Sequence, residues 1–293
     1  KSKLNQWRST QSVIEWFRGI ENKENLSFIK FDIVNFYPSI SLKLLTEALN
    51  FAKSIIDVNP NEIDIILHSR KTFLFLDETP WIKKENPDFD VSMGSWDGAE
   101  CCELVGLYLL NQIELVFPHT NVGLYRDDGI GVVDLPGPDV ERLRKKITKL
   151  FQDNSLKITI EANIKITTFL DVCFNLVNGT FKPYRKDNDK PSYINIQSNH
   201  PPHIKKQLPD MISKRLSTLS SSKEIFDNEI PIYTDALRHA GYNQQLQYKA
   251  EPSNPSVPRR RRKIIWFNPP FNQSVKTNIG GKFLNLIDKH VCK

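Results

Sequence analysis

Two short β-prone runs, Val122-Gly123-Leu124-Tyr125 and Ile130-Gly131-Val132-Val133, flank Arg126-Asp127-Asp128-Gly129. Asp-Gly between such runs is a hairpin signal, so two carboxylates are placed at a tight turn. This feature constrains the chain more than any other: the fold must contain a sheet, and one end of that sheet must carry paired negative charge. A further run, Phe28-Ile29-Lys30-Phe31-Asp32-Ile33-Val34, reads as a largely apolar strand ending near an aspartate. Side by side with the hairpin it would bring Asp32 to Asp127 and Asp128, and the 127 − 32 = 95 residues between them are no obstacle. Alone, an Asp-Asp pair is ordinarily a solvated turn, and Asp32 alone could be a helix cap or a buried ion-pair partner. The information lies in their combination and order.

The surrounding segments fit an α+β pattern. Residues 11–20 have helical spacing. Ser41 can cap a helix with an apolar stripe of Leu42, Leu45, Leu49 and Ala52, and a second helix is predicted over 61–75. Residues 77–92, with Pro80 and Pro87, read as a hairpin or loop excursion. The loop Met93-Gly94-Ser95-Trp96-Asp97-Gly98 opens a long, mostly buried helix that Pro118 ends. An amphipathic helix over 138–153 presents a basic face of Arg142, Arg144, Lys145, Lys146 and Lys149, followed by strands at 156–161 and 166–176. Asn178-Gly179 marks another hairpin, and 203–219 and 223–240 read as helices. The order predicts an antiparallel sheet with helices on one face, followed by a helical region. There is no internal repeat.

Composition narrows the function classes. No apolar run approaches the roughly 20 residues of a membrane-spanning helix, and no apolar segment follows the lysine-rich start, so the expectation is an intracellular protein of nucleus or cytoplasm, neither secreted nor membrane-bound. Cys101, Cys102, Cys173 and Cys292 lack CxxC spacing, which argues against a disulfide framework or zinc site. The net charge of +6 is uneven: residues 251–293 carry nine Lys or Arg against two acidic residues, a net of +7, leaving the first 250 near −1. A basic tail (Arg259, Arg260, Arg261, Arg262) beside Trp266, Phe267 and Phe271 suits a polyanion partner, while a localisation string or solvated linker accounts equally well for the arginines alone. The start at Lys1 suggests a piece of a longer product.

Three converging aspartates suit one reaction in particular. Attack of a primer 3′ hydroxyl on a nucleotide α-phosphate builds charge on the entering and leaving oxygens, and two divalent ions about 3.5–4 Å apart stabilise both. Magnesium takes hard oxygen ligands and keeps substrate phosphates and water in its shell, so two or three carboxylates suffice.

These residues also carry a family resemblance. Phe31-Asp32-Ile33-Val34-Asn35-Phe36-Tyr37-Pro38-Ser39-Ile40 resembles motif A of reverse transcriptases, and Tyr125-Arg126-Asp127-Asp128 resembles their Tyr-x-Asp-Asp motif C. Residues 93–110 occupy the place of motif B, 138–161 resemble motif D, and Phe169-Leu170-Asp171-Val172 looks like the hairpin that grips the primer. Pro183-Tyr184-Arg185-Lys186 with Ser198-Asn199-His200-Pro201 resembles the thumb side of Penelope-like retroelement enzymes. In those, a GIY-YIG endonuclease commonly follows; nothing here resembles one.

The resemblance implies a right-hand palm with partial fingers over 1–186 (a finger-like excursion at 58–92), a helical thumb over 187–250 and a basic linker or tail over 251–293. It implies an RNA-directed DNA polymerase using two Mg²⁺, or Mn²⁺ in their place, with RNA template, DNA primer, their hybrid and deoxynucleoside triphosphates as partners. Asp32, Asp127, Asp128 and the Ile33 carbonyl would hold the metals. Tyr37 would be the gate against a ribose 2′ hydroxyl, with Phe36, Gly94, Gly98 and Tyr125 around the nucleotide. Arg126, Phe169, Leu170, Arg185, Lys186 and Arg259 to Arg262 would touch nucleic acid. Two departures stand out: only about 30 residues precede Asp32, too few for the expected fingers strands, and the motif B helix lacks a proline. They leave two competing readings, a remnant that binds RNA or hybrid without polymerising and an RNA-dependent RNA polymerase; Tyr37 argues against the latter.

Overall fold

The computed structural model describes residues 4–71, 73–82, 84, 89–117, 121–186, 189–250, 271–272, 274 and 278–290. The chain divides into two compact units, Lys1–Tyr184 and Arg185–Lys293.

In chain order the first unit contains β1 (Asn5–Gln6), α1 (Thr10–Arg18), β2 (Ser27–Ile33), α2 (Phe36–Ser39), α3 (Leu42–Lys53), α4 (Pro60–His68), β3 (Leu74–Leu76), β4 (Thr79–Trp81), α5 (Gly98–Val116), β5 (Asn121–Tyr125), β6 (Asp128–Val133), α6 (Gly137–Asp153), β7 (Ile158–Ile164), β8 (Ile166–Phe169), β9 (Val172–Asn175) and β10 (Thr180–Pro183). Its main sheet has the order β1-β5-β6-β2-β7. All pairs are antiparallel except β1 with β5, a parallel edge strand that the sequence reading does not contain. Ile29, Phe31 and Ile33 of β2 face the helical core, and Phe28, on the opposite face, stacks on Phe17 of α1, so all four are buried. The edge strand β7 alternates instead between half-buried and exposed residues, as a one-sided strand does.

The main core joins Ile29, Phe31 and Ile33 of the sheet to α3, α5 and α6. Helix α5 is apolar around most of its circumference and buries Cys102, Val105, Leu109 and Ile113, as a helix enclosed by other elements should. Ser41 caps α3 as predicted, its hydroxyl accepting the Leu44 N–H at 3.2 Å. The stripe that packs is Leu44, Leu45, Ala48 and Leu49; Leu42 is exposed, because the cap sets the helix rotation and turns position 42 outward.

Helix α4 begins at a capping box, Asn59 with Glu62, but stops at His68, short of the predicted 75. Beyond it Arg70 turns inward, and the consecutive apolar residues from Phe73 pair as β3 with β4. The predicted strand 166–176 is likewise two strands, β8 and β9, because the chain reverses at Leu170, whose φ is +52°, and Asp171. With β10 they form a separate three-stranded sheet that packs through Phe174 and Phe181 on Phe17 of α1.

The second unit is built on α7 (Pro202–Thr218) and α8 (Lys223–His239), close to the predicted spans, with Ser222 capping α8. Ile212, Leu216, Phe226, Leu237 and Tyr242 form its core. The chain after α8 runs back along α7: the Ser213 and Ser217 hydroxyls accept the backbone N–H groups of Gln247 and Lys249 at 3.1 and 2.9 Å. A helix α9 (Ile279–His290), which the sequence reading assigned to the tail, is also described. The linker 251–258, Arg259 to Arg262, Trp266, Phe267 and Pro118 lie outside the described residues. Among those described, no helix is long and apolar enough to cross a membrane.

Candidate active site

Asp32 of β2 stands directly opposite Asp128 of β6 in the antiparallel register. Directly opposed residues share a face of a sheet, so the two carboxylates are neighbours although 95 residues separate Asp32 from Asp127 in the chain. The turn is tighter than the Asp-Gly signal implied: Tyr125 pairs with Asp128, so Arg126 and Asp127 form the reversal and Asp128 already belongs to the strand. Arg126 takes the left-handed conformation, φ +55°, to make it. The Ile33 N–H donates to the Asp127 carbonyl at 3.0 Å and ties the turn to β2. Gly129 opposes Phe31, and a Cβ there would lie 2.2 Å from the Phe31 ring. The bare glycine lets that ring cross the strand beside Asp128.

The electrostatics follow from this placement. Burial raises the Asp32 carboxyl above the usual carboxylate value, and the charge of Asp127 raises it further while Lys30 opposes. Burial, then Asp127, then Asp32 push Asp128 up to about 6, again against Lys30. These are half-buried acids that repel one another, and Lys30 supplies an opposing charge. Among the described residues no three His, Cys, Asp or Glu side chains already converge as a cation cage. The set fits an ion that takes only two or three carboxylates and completes its shell with substrate phosphates and water. Asp32, Asp127 and Asp128 are the residues that could hold it.

Tyr37 lies in the short helix α2, half-buried at the edge of the core. Its hydroxyl interacts with the Cys102 thiol of α5, and burial, Cys102 and Asp127 all raise the phenol, with Arg126 opposing. Tyr37 therefore stands close to the acidic turn. Phe36 does not: it is 2% exposed and part of the main core, so its side chain supports α2 from within and offers no surface to a ligand. Tyr125 ends β5, with the Arg126 guanidinium 5.9 Å from its ring centre.

The glycines of the 93–98 loop divide. Gly94 has φ +93° and open space around it, so its role is conformational. A Cβ on Gly98 would meet the Ser92 carbonyl at 2.7 Å and the Ser95 hydroxyl, so the room it leaves is filled by the loop's own atoms and not by a ligand. The buried Arg70 side chain pairs with Asp97 and reaches the Ser95 hydroxyl at 3.4 Å, fastening the loop ahead of α5.

Other residues expected to touch nucleic acid are placed differently. Phe169 is buried, edge-on to Trp7 at 5.9 Å; an aromatic at a strand end serves the core here. Leu170 is at the β8–β9 turn, held by Thr10, whose hydroxyl donates to Asp171 at 2.6 Å. Arg185 is committed within its own unit, 3.4 Å from Glu229 and 5.6 Å over the Tyr233 ring. Lys186 is exposed. Lys30, Arg70 and Cys102 were missed by sequence reasoning. Lys30 could have been found, since strand period two puts it on the face of Asp32; the other two carried no signal in isolation.

Comparison with solved structures gives a likeness of fold. A telomerase from Candida albicans, in complex with a TWJ fragment of telomeric RNA, is similar with a TM-score of 0.55 at 11% identity, over 80% of this chain and 42% of that chain. An apo telomerase from Candida tropicalis gives 0.49 at 12%, over 81% and 45%. The RNA-dependent RNA polymerase of a human picobirnavirus gives 0.45 at 12%, over 81% and 50%. The chain spans less than half the length of these telomerase chains. A family described as the animal helix-turn-helix domain matches residues 192–250, the stretch that holds α7 and α8. A search of curated proteins gives no match. The chain has an α+β fold, a sheet with helices, similar to that of a telomerase.

Proposed function

We propose that this chain is the catalytic portion of an RNA-directed DNA polymerase, with the palm in the first unit and a thumb in the second. The observation that carries the reading is the in-register pairing of Asp32 with Asp128, with Asp127 in the adjoining turn. Asp32 and Asp127 hold divalent cations, Mg²⁺ or Mn²⁺, and Asp128 supports them. Such cations, when bound, neutralise charge on the entering and leaving oxygens of nucleotidyl transfer. Lys30 tempers the repulsion among the acids before substrate arrives. Tyr37, anchored on Cys102 and close to Asp127, blocks a ribose 2′ hydroxyl and selects deoxynucleotides.

Primer extension on an RNA template with deoxynucleoside triphosphates tests the activity. Asp127→Ala is expected to lower the rate by about 10³-fold, the scale of losing a principal charge-stabilising group; extension at the wild-type rate would overturn the assignment. Preferential ribonucleotide incorporation would make the chain an RNA polymerase, and salt-sensitive hybrid binding without extension would make it a binding remnant. Cation binding has a separate readout. Mg²⁺ should raise the melting temperature of the wild type and leave Asp32→Asn nearly unchanged, since a ligand stabilises only the state that binds it.

A further inference from the structure

The β3–β4 hairpin stands apart from the rest of the first unit in its surface chemistry. Among the described residues it forms a two-stranded sheet on its own. Six large apolar residues lie between Phe73 and Ile82, and each is more than half exposed; Leu74 reaches 75% and Phe75 67%. Because the apolar residues of β3 are consecutive, both faces of the hairpin are apolar. Two strands alone are marginal in water, and an exposed apolar surface on this scale marks an interaction site.

The two outer edges of this hairpin are not equivalent. Phe75 pairs with Pro80, and proline has no N–H to donate. This pair is therefore the one that does not exchange ladder hydrogen bonds, and the Phe75 N–H and C=O point outward to the open edge of β3. On the β4 side the corresponding outward position is Pro80 itself, which blunts that edge. The β3 edge carries neither proline nor charge from Phe73 to Leu76.

We propose that this edge is a self-association surface on which two copies of the chain pair their β3 strands antiparallel about a two-fold axis at Phe75. In that arrangement the Phe75 residues of the two copies exchange both backbone hydrogen bonds, and Leu74 of one copy faces Leu76 of the other. The two hairpins become one four-stranded sheet. Charge complementarity favours a second copy as the occupant: Asp77 and Glu78 form the hairpin tip, and Lys71 and Lys84 flank its base. Antiparallel pairing brings the acidic tip of one copy toward the basic foot of the other. The same acidic tip disfavours a phosphate backbone.

Sedimentation velocity of the whole chain over a range of concentrations tests this. The wild type is expected to populate a species of twice the 33.9 kDa chain mass. Phe75→Lys should weaken that dimer at least tenfold while its thermal melt matches the wild type at concentrations where both are monomeric, because residue 75 is exposed. Phe75→Cys should cross-link under mild oxidation above the wild-type background, since the two-fold axis sets that position against itself, whereas Thr79→Cys on β4 should not. A wild type that stays monomeric overturns the proposal, as does a dimer that survives Phe75→Lys or a Phe75→Cys chain that fails to cross-link. A monomeric wild type whose RNA affinity falls on Trp81→Ala would assign the patch to nucleic acid instead.

Discussion

Burial and the charges of Asp127 and Asp32 move the Asp128 carboxyl from the ordinary 3.8 up to about 6, so the folded chain holds this proton more tightly than the unfolded chain does. Its effect on stability runs opposite to that of an ion-paired acid. Well below the ordinary value both states are protonated and the residue contributes nothing; above about 6 both are ionised and the folded state carries the full repulsion. Stability therefore falls as pH rises across that interval. Without divalent cations, Asp128→Asn should gain more stability over the wild type at about pH 7.5 than at about pH 4.5, and almost none at about pH 3, as compared by thermal melts. Equal gains at all of these values would show that Asp128 is ordinary. At Gly129 the issue is steric: Gly129→Ala drives a methyl into the Phe31 ring and should cost about 1–3 kcal/mol in denaturant unfolding, with loss of extension as β6 shifts.

The elements show how much of this was legible in advance. The two β-prone runs mark the hairpin, although its turn is Arg126-Asp127 and the Asp-Gly pair lies inside β6, and the apolar run marks β2, because a buried central strand leaves a strong local pattern. The pattern extends α4 to 75 because Phe73 to Leu76 is apolar enough to continue a helix, and only pairing with Thr79–Trp81 makes it a strand. The motifs place Phe36 and Phe169 at ligand contacts and the structure buries both, because a sequence motif does not say which face of its element is inside. Arg70 gave no signal at all, since its partner is 27 positions away in a loop. Its pairing with Asp97 makes an asymmetric prediction. Arg70 is almost wholly buried and Asp97 about a third exposed, 4% against 35% by side chain. Asp97→Ala strands a buried cation and should cost about 3 kcal/mol, whereas Arg70→Met leaves an acid that can rehydrate and should cost less. Denaturant titrations of the two variants decide it.

At the scale of the molecule, each unit has its own core, so a substitution in one can be kept out of the other. Phe226→Ala removes a ring from the centre of the second unit and should destabilise it by about 3–5 kcal/mol while Mg²⁺ binding at the aspartates persists. Tyr242 is a contrasting case: its hydroxyl is buried without a hydrogen-bond partner among the described residues, so Tyr242→Phe should stabilise that unit by about 1 kcal/mol. The strand order of the main sheet has a consequence for synthesis. β2 is flanked by β6 and β7, both of which leave the ribosome long after it, and β1 must wait for β5. Until Ile164 has emerged, Asp32 sits on a strand whose second neighbour does not yet exist. Pairings so distant in sequence form late. A nascent chain released early thus lacks a complete sheet around Asp32 by topology, before any question of chemistry arises.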